Sequence, residues 1–138
     1  MEIEIDGIDR KILSHLRENS RARNVEIAKQ LGLTEGTVRN RIEKLISDKV
    51  ISKFTIETYS AESVFGVVML KARASTKKMM AEVSAAKIHR EAFEISGEFD
   101  GCVIIESSSL QGLDEKIDRI RKCPSLAETR TFIAVKKW

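Results

Sequence analysis

The sequence predicts an α+β protein: an N-terminal winged helix-turn-helix followed by a C-terminal ferredoxin-like β-α-β-β-α-β domain. Three observations predict it: the spacing of Ala28, Gly32 and Val38, a change from helical to alternating apolar period near residues 59–63, and an ordered run of strand and helix patterns after that change. A division into domains 1–60 and 61–138 follows. The 138 residues suit two modest cores, and neither half carries an internal repeat or a low-complexity tract.

Asp6, Asp9, Ile12, Leu13 and Leu16 give an N-capped amphipathic helix, because the apolar residues fall at i, i+1 and i+4 and form one stripe. Ala28 then supplies the small residue that two helices need where they touch, Gly32 the turn with φ > 0, and Val38 the closing core residue. Ile27, Leu31, Leu33, Ile42 and Leu45 surround them. Asn24 is placed to cap the first of these two helices and Thr34 the second. On these residues alone an ordinary helical hairpin remains open. Val50 to Thr58 (VISKFTIET) is β-branched and aromatic-rich, and reads as a strand or wing.

In the second half, Val64 to Ala74 predicts a strand. Thr76 is placed to cap a helix through about Lys87, with Met79, Met80 and Val83 on one face. Ala92 to Ile95 reads as a short strand, Ser96 to Gly101 as a turn and Cys102 to Ser107 as a buried strand. Leu110, Leu113, Ile117 and Ile120 recur at i, i+3, i+7 and i+10, one face of a helix that Pro124 stops, and Thr129 to Lys136 reads as the last strand. Helices on one face of such a sheet leave the other apolar face open, and a second copy is the usual cover. A homodimer is expected.

The net charge of +3 is weak, yet between Arg17 and Lys53 basic residues outnumber acidic ones nine to five, which sets the positive charge on the helix-turn-helix, whose spacing points to a nucleic-acid partner. No apolar stretch approaches the roughly 18 residues of a membrane helix, and MEIEIDGIDR is acidic where a secretory signal is basic and then apolar. A soluble, cytoplasmic protein is expected. Cys102 and Cys123 form no CxxC pair and read as reduced structural thiols. His15 and His89 have no Cys or His at metal spacing, and there is no Gly-rich phosphate loop or nucleophile motif, so no metal, cofactor or enzymatic activity is expected.

The order Asp6-x-x-Asp9-x-x-Ile12-Leu13-x-x-Leu16, Ile27-Ala28-x-x-Leu31-Gly32-Leu33-Thr34 and Val38-x-x-Arg41-Ile42-x-x-Leu45 resembles the DNA-binding half of the leucine-responsive regulatory protein/AsnC (feast/famine) family. Gly97-x-x-Asp100 resembles that family's glycine-aspartate turn, and Pro124-Ser125-Leu126 with Thr129-x-Thr131-x-Ile133 its last helix-to-strand segment. The resemblance implies a dimer-forming transcription regulator whose C-terminal domain senses a small molecule, commonly an amino acid, at an interface between dimers. The chain departs from the family at Lys49 and Ser125, which stand where glycine is usual, so altered turns are expected at both; the segment before the first C-terminal strand also looks short. Two alternatives stay beside this reading. Sirohaem decarboxylases use a similar scaffold, and an oligomer without effector would only organise DNA.

On the recognition helix Val38, Ile42 and Leu45 define the buried stripe, which sets Gly36, Thr37, Asn40 and Lys44 on or near the opposite face. Asn40 suits adenine N6 and N7, Thr37 offers a hydroxyl and a methyl for thymine, and Gly36 lets the helix end approach closely. Arg39 and Arg41 flank this face, where phosphates are expected. For Arg41 a second reading is open, since it matches a family position that braces the fold. An amino-acid effector needs donors for its carboxylate and an anion for its ammonium. The turn Ser96, Gly97, Glu98 and Asp100 offers backbone N–H groups and the Asp100 carboxylate, and Thr129 and Thr131 share one face of a strand beside it. The bland reading of these residues is a capped turn and two strand formers.

Overall fold

The computed structural model describes residues 3–58 and 62–138, which fall into two compact units, Met1–Thr58 and Tyr59–Trp138. The domain boundary expected near 59–63 falls largely on residues 59–61, outside the described residues. No helix among the described residues is long and apolar enough to cross a membrane.

The first unit packs α1 (Gly7–Glu18), α2 (Asn24–Leu31) and α3 (Glu35–Ser47) around Ile12, Ile27, Ala28, Val38 and Ile42. Each fully buried aliphatic side chain stabilises such a core by about 1.5–3 kcal/mol. A reciprocal capping box starts α1: the Asp9 N–H donates to Asp6 Oδ1 at 2.8 Å and the Asp6 N–H to Asp9 Oδ2 at 3.2 Å. Gly32 ends α2 in the left-handed region at φ 66°, and Ala28 is buried where α2 and α3 meet. Thr34 caps α3 by accepting from the Thr37 N–H, as its position predicts.

Three expectations need correction here. Asn24 is the first helical residue rather than the cap; Arg23 holds the cap position, and Glu26 reaches back to accept from its N–H at 3.2 Å. Residues 50–58 form no strand. Their period-2 pattern has no second run in this unit to pair with, and an unpaired strand leaves its backbone to water. Phe54 and Ile56 are accordingly exposed, Ile56 by 74%. At Lys49 the expected change of turn does not occur: the lysine itself takes φ 58°, the conformation that glycine would adopt with less strain.

The second unit is a four-stranded antiparallel sheet in the order β2-β3-β1-β4, with β1 (Val64–Ala72), β2 (Glu91–Glu94), β3 (Gly101–Ser107) and β4 (Leu126–Ile133). Helices α4 (Thr76–Ala85) and α5 (Leu110–Arg121) complete β-α-β-β-α-β. Val68, Leu70, Val103 and Ile105 face the helices and pack with Met79, Val83, Leu113, Ile117 and Ile120. Alternation directs Val67 and Met69 to the other face, where they pair across the sheet with Ile104 and Phe132 and with Cys102 and Arg130.

Ser75, not Thr76, caps α4, accepting from the Lys78 N–H, and the helix ends at Ala85, two residues short of Lys87. Leu110 begins α5 but lies outside its buried stripe of Leu113, Ile117 and Ile120, and is 63% exposed. The last strand starts three residues earlier than expected, at the buried Leu126, and stops at Ile133, opposite Gly66 near the start of β1. Ser125 replaces the family's glycine without positive φ; its N–H and hydroxyl both donate to the Glu82 carboxylate.

Candidate functional site

The capped start of α3 and its buried stripe of Val38, Ile42 and Leu45 fix the helix's orientation, and so leave Thr37, Arg39, Asn40 and Lys44 exposed, with Gly36 half-buried at the helix start. The Thr37 hydroxyl lies 2.8 Å from that of Thr34, so its methyl is the freer group. Arg39 pairs loosely with Glu35 at 3.5 Å, an exposed helix pair worth little against a phosphate.

Arg41 is placed differently. Its Nη1 donates to Asp6 Oδ2 at 2.6 Å and to Asp9 Oδ1 at 2.8 Å, tying α3 to the start of α1 across a shallow groove that Asn40 and Lys44 also line. The Asp9 N–H and then the Arg41 guanidinium hold the Asp6 carboxyl at about 2, well below its ordinary 3.8. Of the two open readings the geometry favours the brace. Because the folded value is depressed, the stabilisation is complete above pH 4 and is lost as pH falls through 2. Arg41→Met should therefore lower the melting temperature at pH 7 and shrink that lowering as the pH falls from 4 to 2. The salt dependence of DNA binding should keep its slope. A slope reduced by about 1 would mean that Arg41 contacts a phosphate after all.

A cluster that sequence reasoning did not place is Ser20, Arg21, Arg23 and Asn24, which line an open groove running to Glu35 at the start of α3. Arg23 is held by Glu26 at 2.8 Å, which leaves Arg21 the freer cation. Its only trace in the sequence is the basic excess between residues 17 and 53.

In the second unit the turn between β2 and β3 is closed by Asp100, whose N–H donates to the Leu70 carbonyl, whose carbonyl accepts from the Ile95 N–H, and whose Oδ2 accepts from the Ala72 N–H at 2.9 Å. Ser96, Gly97 and Glu98 are exposed, and Gly97 has φ 145°. Lys71 Nζ donates to the Glu98 carbonyl, and Arg130 lies 3.5 Å from the Glu98 carboxylate and stacks over Phe99. Thr129 and Thr131 do share one face, but it is not the face the turn meets. They pair with Leu70 and Val68 on the helix side, where Arg121 Nε donates to Thr129 Oγ1 and Thr131 Oγ1 is buried without a partner among the described residues. The expected junction of turn and threonines is thus corrected: register assigns the threonines to the helix-covered face and Lys71 and Arg130 to the open face. An arginine between two threonines was the overlooked signal.

Among the described residues no three His, Cys, Asp or Glu side chains cluster as a metal site. Burial pushes the Cys102 thiol up, and burial with the nearby Glu82 carboxylate does the same to Cys123, which makes both poor nucleophiles at neutral pH.

Residues 5–46 match the AsnC-type helix-turn-helix domain. The HTH-type transcriptional regulator LysM of Sulfurisphaera tokodaii is 31% identical over 137 residues, covering 98% of each chain. Among solved structures, AsnC of Escherichia coli superposes with TM-score 0.76 at 24% identity, covering 98% of this chain and 95% of that one. A feast or famine regulatory protein of Mycobacterium tuberculosis complexed with L-methionine superposes with TM-score 0.79 at 21% identity and the same coverage. With the exposed recognition helix and the β-α-β-β-α-β unit, these likenesses show that the chain belongs to the leucine-responsive regulatory protein/AsnC family of DNA-binding transcription regulators.

Proposed function

We propose that residues 1–60 read a specific DNA sequence and that residues 61–138 dimerise through the open sheet face and respond to a small effector, an amino acid, at the Ser96 to Asp100 turn. The protein then acts in the cytoplasm as a homodimer, or an assembly of dimers, on double-stranded DNA. The observation that carries the DNA reading is Asn40, exposed opposite the buried stripe of a capped helix. Gly36, Thr37 and Lys44 complete the base-facing surface and Arg39 meets phosphate; Arg41 serves this surface by bracing it. For the effector, support comes from the relative solved with L-methionine and from Asp100, whose Oδ2 holds the Ala72 N–H and whose Oδ1 is left for an ammonium.

The test of sequence reading is a pair of variants titrated on operator and random DNA. Asn40→Ala should relax base preference at one operator position by about 1–3 kcal/mol, whereas Arg39→Ala should weaken binding to all sequences and reduce the salt slope by about 1. An Asn40 variant that lost affinity equally for specific and random DNA would refute its assignment to a base. The effector is found by a thermal-shift screen of free amino acids, since binding at a hundredfold excess over Kd raises stability by about 2.7 kcal/mol.

A further inference from the structure

From the geometry of the turn we infer that Arg130, stacked on Phe99, takes the carboxylate of the amino-acid effector, an inference that rests on the effector reading proposed above. Phe99 is 8% exposed and its ring centroid lies 4.9 Å from the Arg130 guanidinium carbon, so a buried ring supports the cation before any ligand arrives. The fork itself is only loosely engaged. Its two ion pairs, to Glu98 at 3.5 Å and Glu128 at 3.9 Å, are too long for the paired N–H···O bonds that a guanidinium makes with a well-placed carboxylate.

Both of those carboxylates are largely exposed, which lets a ligand displace them without opening the core. The space beside the turn is open as well: a Cβ built on Gly97 would meet nothing within 4 Å. Lys71, one strand over, donates to the Glu98 carbonyl and so holds the turn against the same end of the sheet. The arrangement therefore sets a cation over Phe99 and the Asp100 carboxylate one residue further along the same turn, charges opposite to the two an amino acid presents.

The test is calorimetry of the full chain with each of the twenty L-amino acids and, for the tightest, with its carboxamide. Arg130→Gln should weaken the amino acid about tenfold to a hundredfold and leave the carboxamide unchanged. Arg130→Lys, which keeps the charge but not the flat fork, should recover only part of that loss. An R130Q protein that binds the amino acid as the wild type does, or that loses acid and carboxamide equally, overturns the assignment. So does a wild-type protein that binds the carboxamide as tightly as the acid, a result that needs no variant to fold. If no amino acid binds the wild type, the effector reading itself falls and this inference with it.

Discussion

If the copies pair through the open sheet face as proposed, Ile104→Asp is expected to leave a folded monomer. Ile104 lies mid-strand in β3, opposite Val67 and directed away from the helices, in a face that also carries Met69, Cys102, Phe93 and Phe132. In the single chain that position is half-exposed, so an aspartate there stays hydrated and the core beneath it is untouched. In a symmetric dimer the same patch serves both copies, and two unpaired carboxylates enter the interface together. Each uncompensated buried charge costs about 3–5 kcal/mol, so even one raises the dimer dissociation constant by about two to three and a half orders of magnitude, and the pair by more. Sedimentation equilibrium at micromolar concentration measures this directly. DNA affinity should fall with it by about 10²–10⁴, the gain that linking two reading heads supplies. A dimer that survives Ile104→Asp would mean that another surface holds the copies together.

The helices were legible because their signals are local. Asp6 with Asp9, Thr34 with Thr37, and Gly32 each act within four residues of chain, and all do in the structure what their positions predict. Where the reading slipped by one residue, at Asn24 and Thr76, the preceding residue held the position: Ser75 accepts with its hydroxyl, and Arg23, without a side-chain cap bond, donates its N–H to Glu26. The wing failed for a different reason: residues 50–58 have the period of a strand, and period reports which side chains could share a face, not whether another backbone is there to pair.

The same limit governs the site. Arg41 had two open readings because its partners lie 32 and 35 residues away, beyond the reach of spacing arguments. Thr129 and Thr131 were rightly assigned to one face, yet both faces of this sheet are apolar, so alternation alone could not say which one the helices cover; only the pairing with Val68 and Leu70 decides it. That register also orders the open face. Val67 lies toward its middle, Arg130 stands opposite Met69, and Lys71, Glu128 and the Glu98 turn lie beyond them at one end, which sets the proposed effector site where the proposed dimer interface gives way to that rim. A ligand bound at a rim alters the contacts of a second copy, a direct physical route from effector to assembly.

Asp100→Asn should abolish the proposed effector response while leaving the fold intact. Asparagine keeps a carbonyl oxygen to accept from the Ala72 N–H and its own backbone bonds to Leu70 and Ile95, so the turn survives; what is lost is the negative charge. An ammonium drawn from water into a site without its counter-charge is left unpaired, and the affinity of the amino acid should fall by about 2–4 kcal/mol. The α-hydroxy analogue, which has no ammonium, should bind variant and wild type alike. Coupling between ligand and DNA is reciprocal, so the variant should retain its effector-free DNA affinity and lose only the change that the amino acid brings about. Calorimetry and operator titration read the two effects separately. Undiminished amino-acid binding to Asp100→Asn would show that the carboxylate serves the turn alone.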